Sequence, residues 1–211
     1  MASSKPWKTL RAEIEKLREQ FLPDPFDPLG SYPDETKVQA HARAFLVLCH
    51  AEFESYVEGL AKEITRSSEV LWNTSRKASV PLQFLFVTRA QKLVVPEKVS
   101  AGASDIPQRL ADELVKVFQN FYKEIKDNNG IKEKNILALF GPLGISSASF
   151  GATLLPNLDS FGFLRGTHVH HSIHAIGTPL DPESEYKRAV DLANDLLNLD
   201  GWYLQTKRKI R

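Results

Sequence analysis

His41-Ala42-Arg43-Ala44-Phe45-Leu46-Val47-Leu48-Cys49-His50-Ala51-Glu52-Phe53-Glu54-Ser55-Tyr56 is the stretch whose reading decides the fold. It lies in a proline-free run from about Glu35 to about Arg66 whose only glycine is Gly59. At about 100° per residue, Phe45, Cys49, Phe53, Tyr56, Leu60 and Ile64 share one broad face, which predicts a long core helix. A second stripe, Arg43, Val47, His50, Glu54 and Val57, has the three- and four-residue spacing of a helix–helix seam. Three polar groups on a packing seam need a cause. One account is an ion-paired edge of the core that serves specificity alone; the other is a site.

Working outward, Trp7 to Leu22 repeats Leu10, Ile14, Leu17 and Phe21 at helical intervals, and the prolines Pro23, Pro25 and Pro28 end that helix. Ser104-Asp105 opens a helix to about Lys126, and Asp127-Asn128-Asn129-Gly130 closes it with turn residues. A short helix is expected from Lys132 to Phe140. Gly141 to Ser147 reads as a loop without the Gly-Lys-Ser/Thr ending of a phosphate-cradling P-loop. Asp159 is the expected N-cap of a helix to about Ile173. After Gly177-Thr178-Pro179, a last helix starts at Asp181-Pro182-Glu183. Leu82 to Val87 fits a short strand or a helical turn, and helix is preferred because nothing nearby offers a pairing strand. The expectation is an all-α bundle of five to seven helices. Residues 1–34 form an N-terminal helix with a proline-rich connection, 35–205 the helical domain, and 206–211 a basic tail.

A chain of 211 residues can bury one core without staples. Its single cysteine, Cys49, sits in an apolar run and reads as a small hydrophobe, which fits a reducing, cytoplasmic setting. The N-terminus lacks the apolar segment of a signal peptide, and no membrane span is expected. A formal net charge of +1 gives no global attraction for nucleic acid, so any RNA site must be local.

Such a locality exists. Four of the six histidines lie in Leu164-Arg165-Gly166-Thr167-His168-Val169-His170-His171-Ser172-Ile173-His174. On one helix Arg165 and His170 diverge by about 140°. A second copy of the helix packed across the first would let two chains line one cleft, so a homodimer is expected. An arginine and a histidine suffice for cleaving RNA. The imidazole moves protons near neutral pH, the substrate's own 2′-hydroxyl is the nucleophile, and the guanidinium holds the phosphate by paired bonds. That chemistry calls for no metal and no cofactor.

Arg165 to His170 resembles the Arg-x4-6-His signature of HEPN-domain proteins, and the His41 to Tyr56 helix is similar to the first core helix of the RiboL-PSP-HEPN group, in which an apolar run leads into a Phe-Glu pair, here Phe53-Glu54. The resemblance covers about residues 35–205. It implies a HEPN-like helical bundle that dimerises, with Arg and His from both chains forming one ribonuclease centre. It also implies an endoribonuclease of the toxin–antitoxin or antiviral defence kind, with RNA as substrate and an antitoxin or regulatory partner. Carried over, Arg165 binds phosphate and His170 is the acid or base, with His171 as the alternative at a spacing the signature admits. Glu54 becomes the residue that orients one of them, and Thr167 and Arg43 complete the supporting set. One departure is Gly166, where the family usually has a polar residue after the arginine.

Other readings of the same residues stand beside this one. Arg165 fits a structural salt bridge to Glu54 or Asp159. His170 and His174, four apart, match the spacing of a zinc pair but lack further ligands in the motif. His168 and His174 are expected to be exposed or adjacent to RNA. A catalytically inactive HEPN module that binds a partner protein or nucleotide is the alternative function.

Overall fold

The computed structural model describes residues 3–90, 106–170 and 179–210, with backbone alone at 106, 107, 169 and 170. Its helices are α1 (Lys5–Phe21), α2 (Glu35–Ser75), α3 (Val80–Arg89), α4 (Ile106–Lys126), α5 (Glu133–Phe140), α6 (Leu154–His170), α7 (Pro182–Asp195) and α8 (Leu197–Lys209). Two 3-10 turns, Gly141–Leu143 and Ser147–Phe150, occupy the stretch expected as loop and the residues just after it. The described residues contain no strand, and the architecture is the all-α bundle that the periodicity predicted.

The long helix α2 is the axle and touches every other helix. Its predicted apolar face is the core: Phe45, Cys49, Phe53, Leu60 and Ile64 are all fully buried. Burying a side chain of that size stabilises the fold by roughly 1.5–3 kcal/mol, so one helix supplies much of the driving force. Asp34 caps its start by accepting from the Lys37 amide at 2.9 Å. α2 runs beyond the expected Arg66 to Ser75. The polar residues there do not break it, because Thr65, Ser67 and Ser75 donate back to carbonyls one turn earlier, each at 2.8 Å.

Several boundaries differ from expectation for local reasons. Leu82 to Val87 is helical within α3, capped by Ser79, whose hydroxyl accepts from the Leu82 amide at 3.2 Å. The single last helix is two, meeting at Leu196. The basic run is no tail: Lys207 to Lys209 is the end of α8, and Lys207 is ion-paired with Glu63 of α2. The N-terminal helix is also no appendage. Leu10 and Ile14 are buried in the common core. Ser4 binds the buried Asp200 of α8 through its amide at 2.7 Å and through its hydroxyl, and the Tyr56 hydroxyl donates to the same carboxylate at 3.1 Å. Among the described residues, no helix is long and apolar enough to cross a membrane.

Candidate functional site

α6 starts at Leu154, so Asp159 is inside it rather than at its N-cap. Its carboxylate caps a different helix, accepting from the Glu133 amide at the start of α5 at 2.7 Å. That bond fixes α6 against α5 while its other side lies along α2. The register of the α2–α6 seam follows from its aromatics. Phe161 stacks on His50 with ring centroids 6.4 Å apart and 11° between planes, and meets Phe53 edge-on at 5.4 Å. Arg165 acts on His50, whereas Arg43, two turns earlier on α2, acts on His168 further along α6. Rising numbers on one helix therefore meet falling numbers on the other, and the two run antiparallel.

The polar stripe Arg43, His50 and Glu54 faces this seam. His50 is only 5% exposed, with Nδ1 3.9 Å from Glu54 Oε2. Burial lowers its pKa below the usual imidazole value; the nearby Glu54 carboxylate opposes that shift and the Arg165 guanidinium adds to it. The imidazole is thus neutral near pH 7. Glu54 is tied down from the other side by the Gly130 amide, which donates to Oε1. Gly130 holds φ at +122°, a backbone conformation that favours glycine, and this aims its N–H at α2. The same turn is bound to α2 by Asn128, whose amide donates to Glu58 at 2.8 Å and to the Gly130 carbonyl at 3.0 Å.

Arg165 is half-buried, and its Nε is buried without a hydrogen-bond partner. Neither Glu54 nor Asp159 forms the salt bridge considered for it; among the described residues no carboxylate lies within ion-pair distance of Arg165 or Arg43. Arg43 Nε is likewise buried and unpartnered. His168, expected at the surface or beside RNA, is 8% exposed, because its place on α6 turns it inward against α2. Its pKa is lowered by burial and then by Arg43. Thr167 points back along its own helix, its hydroxyl donating to the Phe163 carbonyl at 3.2 Å. At Gly166 an added Cβ would meet nothing within 4 Å. The side chain of His170, and His171 and His174 altogether, lie outside the described residues.

Four members of this arrangement were not assigned site roles from sequence: His50, Phe161, His168 and Gly130. For His50 the signal was present in the seam stripe. The Asn-Asn-Gly turn marked a chain reversal, but nothing in its residues says which carboxylate its amide meets. As chemistry, the seam holds two guanidinium groups that pair with no carboxylate among the described residues, each acting on a histidine, with a carboxylate 3.9 Å from one of those imidazoles. Groups of these kinds are able to hold an anion and to move protons.

The sequence profile of the RiboL-PSP-HEPN family matches residues 8–199, from within α1 to within α8. No curated protein and no solved structure matches significantly. The matched span exceeds the expected 35–205 at its start, in keeping with the packing of α1 into the common core. It takes in both helices of the seam. On this match and the all-α architecture, the chain belongs to the RiboL-PSP-HEPN family of the HEPN superfamily.

Proposed function

We propose that the protein is a metal-independent endoribonuclease that acts as a homodimer in toxin or antiviral defence. The observation that carries this reading is the state of Arg165: a half-buried guanidinium with no carboxylate partner among the described residues, on the helix that packs against His50, in a family associated with RNA cleavage. A cation kept unpaired in a polar seam is suited to an external anion, and a phosphate takes it by paired bonds. The 2′-hydroxyl attacks the adjacent phosphorus and gives its proton to a histidine. The new O–P bond replaces the bond to the 5′-oxygen, which leaves with a proton from a histidine. The products are a 2′,3′-cyclic phosphate and a 5′-hydroxyl. His170 is the residue assigned to proton transfer, with His171 as the alternative. The dimer is expected because Arg165 and His170 diverge by about 140° on one helix, so that a second copy is needed to bring both to one cleft.

The test is cleavage of single-stranded RNA by wild type, Arg165→Ala and His170→Ala, with EDTA present, and analysis of the new ends. Each substitution should lower the rate by about 10²-fold or more. Arg165→Lys should rescue only part, because an ammonium cannot make the paired contact. Products bearing a 5′-phosphate, or rates indifferent to His170→Ala, would sink the mechanism.

A second reading, a module that binds a partner protein or nucleotide without cutting, is favoured by the formal net charge of only +1 and by Gly166. There the polar group usual after the family's arginine is missing.

A further inference from the structure

We propose that Arg43 and His168 form a second anion site beside Arg165, which takes the backbone phosphate adjoining the one that Arg165 holds. The identity of the ligand rests on the RNA reading; the site itself rests on the seam. Arg43 comes from α2 and His168 from α6, so the antiparallel packing of the two helices creates the pair. Among the described residues, neither has a carboxylate partner. Arg43 Nε and His168 Nδ1 are both buried without a hydrogen-bond partner, and no carboxylate of the described residues pairs with Arg43. Leaving polar atoms of this kind unpaired costs about 1–3 kcal/mol each, more when charged. The ion-paired core edge that this stripe suggested would have removed that cost with an internal acid. Among the described residues no such acid reaches Arg43, and Glu54 lies at the His50 end of the stripe.

The spacing suits a strand with repeating charge. His50, beside Arg165, lies seven residues from Arg43, a rise of roughly 10 Å along α2. His168 is one turn from Arg165 on α6. Two long guanidinium arms separated in this way can each hold one phosphate of a bent single strand, whereas one free phosphate engages one of them. The imidazole of His168 supplies the second contact at the Arg43 end, as N–H donor from whichever nitrogen carries the proton. The pair would fix the register of the strand relative to the cleavage position, which is how phosphate contacts contribute to nucleic-acid recognition.

The experiment measures binding by nuclear magnetic resonance titration with deoxythymidine strands, which lack the nucleophile and cannot be cut. One probe has a single phosphodiester and the other has two. Wild type should bind the two-phosphate strand about tenfold more tightly than the one-phosphate strand, and only the longer strand should shift the His168 ring signals. Arg43→Gln should abolish that gain, bringing the affinity for the two-phosphate strand down to about that for the one-phosphate strand. Arg43→Lys, which keeps the charge and so guards against a folding defect, should retain part of the gain. Arg109→Gln, on the exposed surface of α4, should retain all of it. Equal gains in wild type and Arg43→Gln would overturn the proposal, as would an equal loss in Arg109→Gln, which would point to diffuse charge. The outcome is separable from that of the cleavage assay. A protein that binds the longer strand through Arg43 but cuts no RNA keeps this site and loses the ribonuclease reading. A protein that cuts RNA with no Arg43 dependence of binding does the reverse.

Discussion

Arg165 of α6 acts on His50 of α2 and has no carboxylate partner among the described residues, while His50 has Glu54 one turn away, its Oε2 3.9 Å from Nδ1. The cation and the carboxylate thus flank one imidazole from opposite helices rather than pairing with each other. A direct Arg165–Glu54 bridge would have spent the guanidinium internally. The tie from Gly130 to Glu54 helps to hold that carboxylate on its own side.

Acid should destabilise the fold through this seam. His50 and His168 are both held below the ordinary imidazole pKa of 6.5, chiefly by burial. The unfolded chain takes up protons that the folded one refuses. The stabilisation is therefore complete above about pH 6.5 and is lost as pH falls through the folded values. Thermal unfolding followed from about pH 8 to about pH 5 should show a falling midpoint. His50→Gln and His168→Gln should each flatten the slope; an unchanged slope in both would refute the assignment.

Glu54→Gln should separate two functions of that side chain. The amide oxygen can still accept from Gly130, so stability should change little. The charge that supports protonation of His50 is gone, so the His50 pKa should fall further, as read by ring-proton titration. Glu54→Ala, which also removes the acceptor for Gly130, should cost about 1–3 kcal/mol in denaturant unfolding.

Gly166→Ala should stabilise the protein. The position is helical, and an added Cβ meets nothing within 4 Å. Replacing a mid-helix glycine by alanine gains about 0.5–1 kcal/mol. A lower unfolding midpoint would mean that α6 is packed more tightly there than the open space around Gly166 indicates. Gly166→Asn, which supplies the polar group usual in the family, should raise RNA cleavage if that departure limits the wild type.

Asp200→Ala should be among the most damaging single changes away from the seam. The carboxylate is 1% exposed and accepts from the Ser4 amide, the Ser4 hydroxyl and Tyr56. Its loss leaves those donors unpaired and frees the start of α1, at a cost of about 3 kcal/mol by chemical denaturation. A loss under 1 kcal/mol would show that water replaces the carboxylate.

The sequence by itself determined the helical class, the central place of the Glu35 to Arg66 run and the polar stripe on its second face. Those features are local: the 3.6-residue repeat of Phe45, Cys49, Phe53, Leu60 and Ile64 must present one apolar face wherever the helix goes. It also singled out Arg165, because a histidine-rich stretch beside an arginine is conspicuous without any fold. Pairings across elements were not legible. That Asp159 caps α5 rather than its own helix, that Lys207 meets Glu63, and that Gly130 holds Glu54 depend on how distant segments pack, which periodicity does not encode. The same holds for Arg43 with His168 and Arg165 with His50. Each stripe specified which residues lie on a face; only the antiparallel contact of α2 with α6 decided which of them meet, because register between helices is set by the packing of Phe161 against His50 and Phe53.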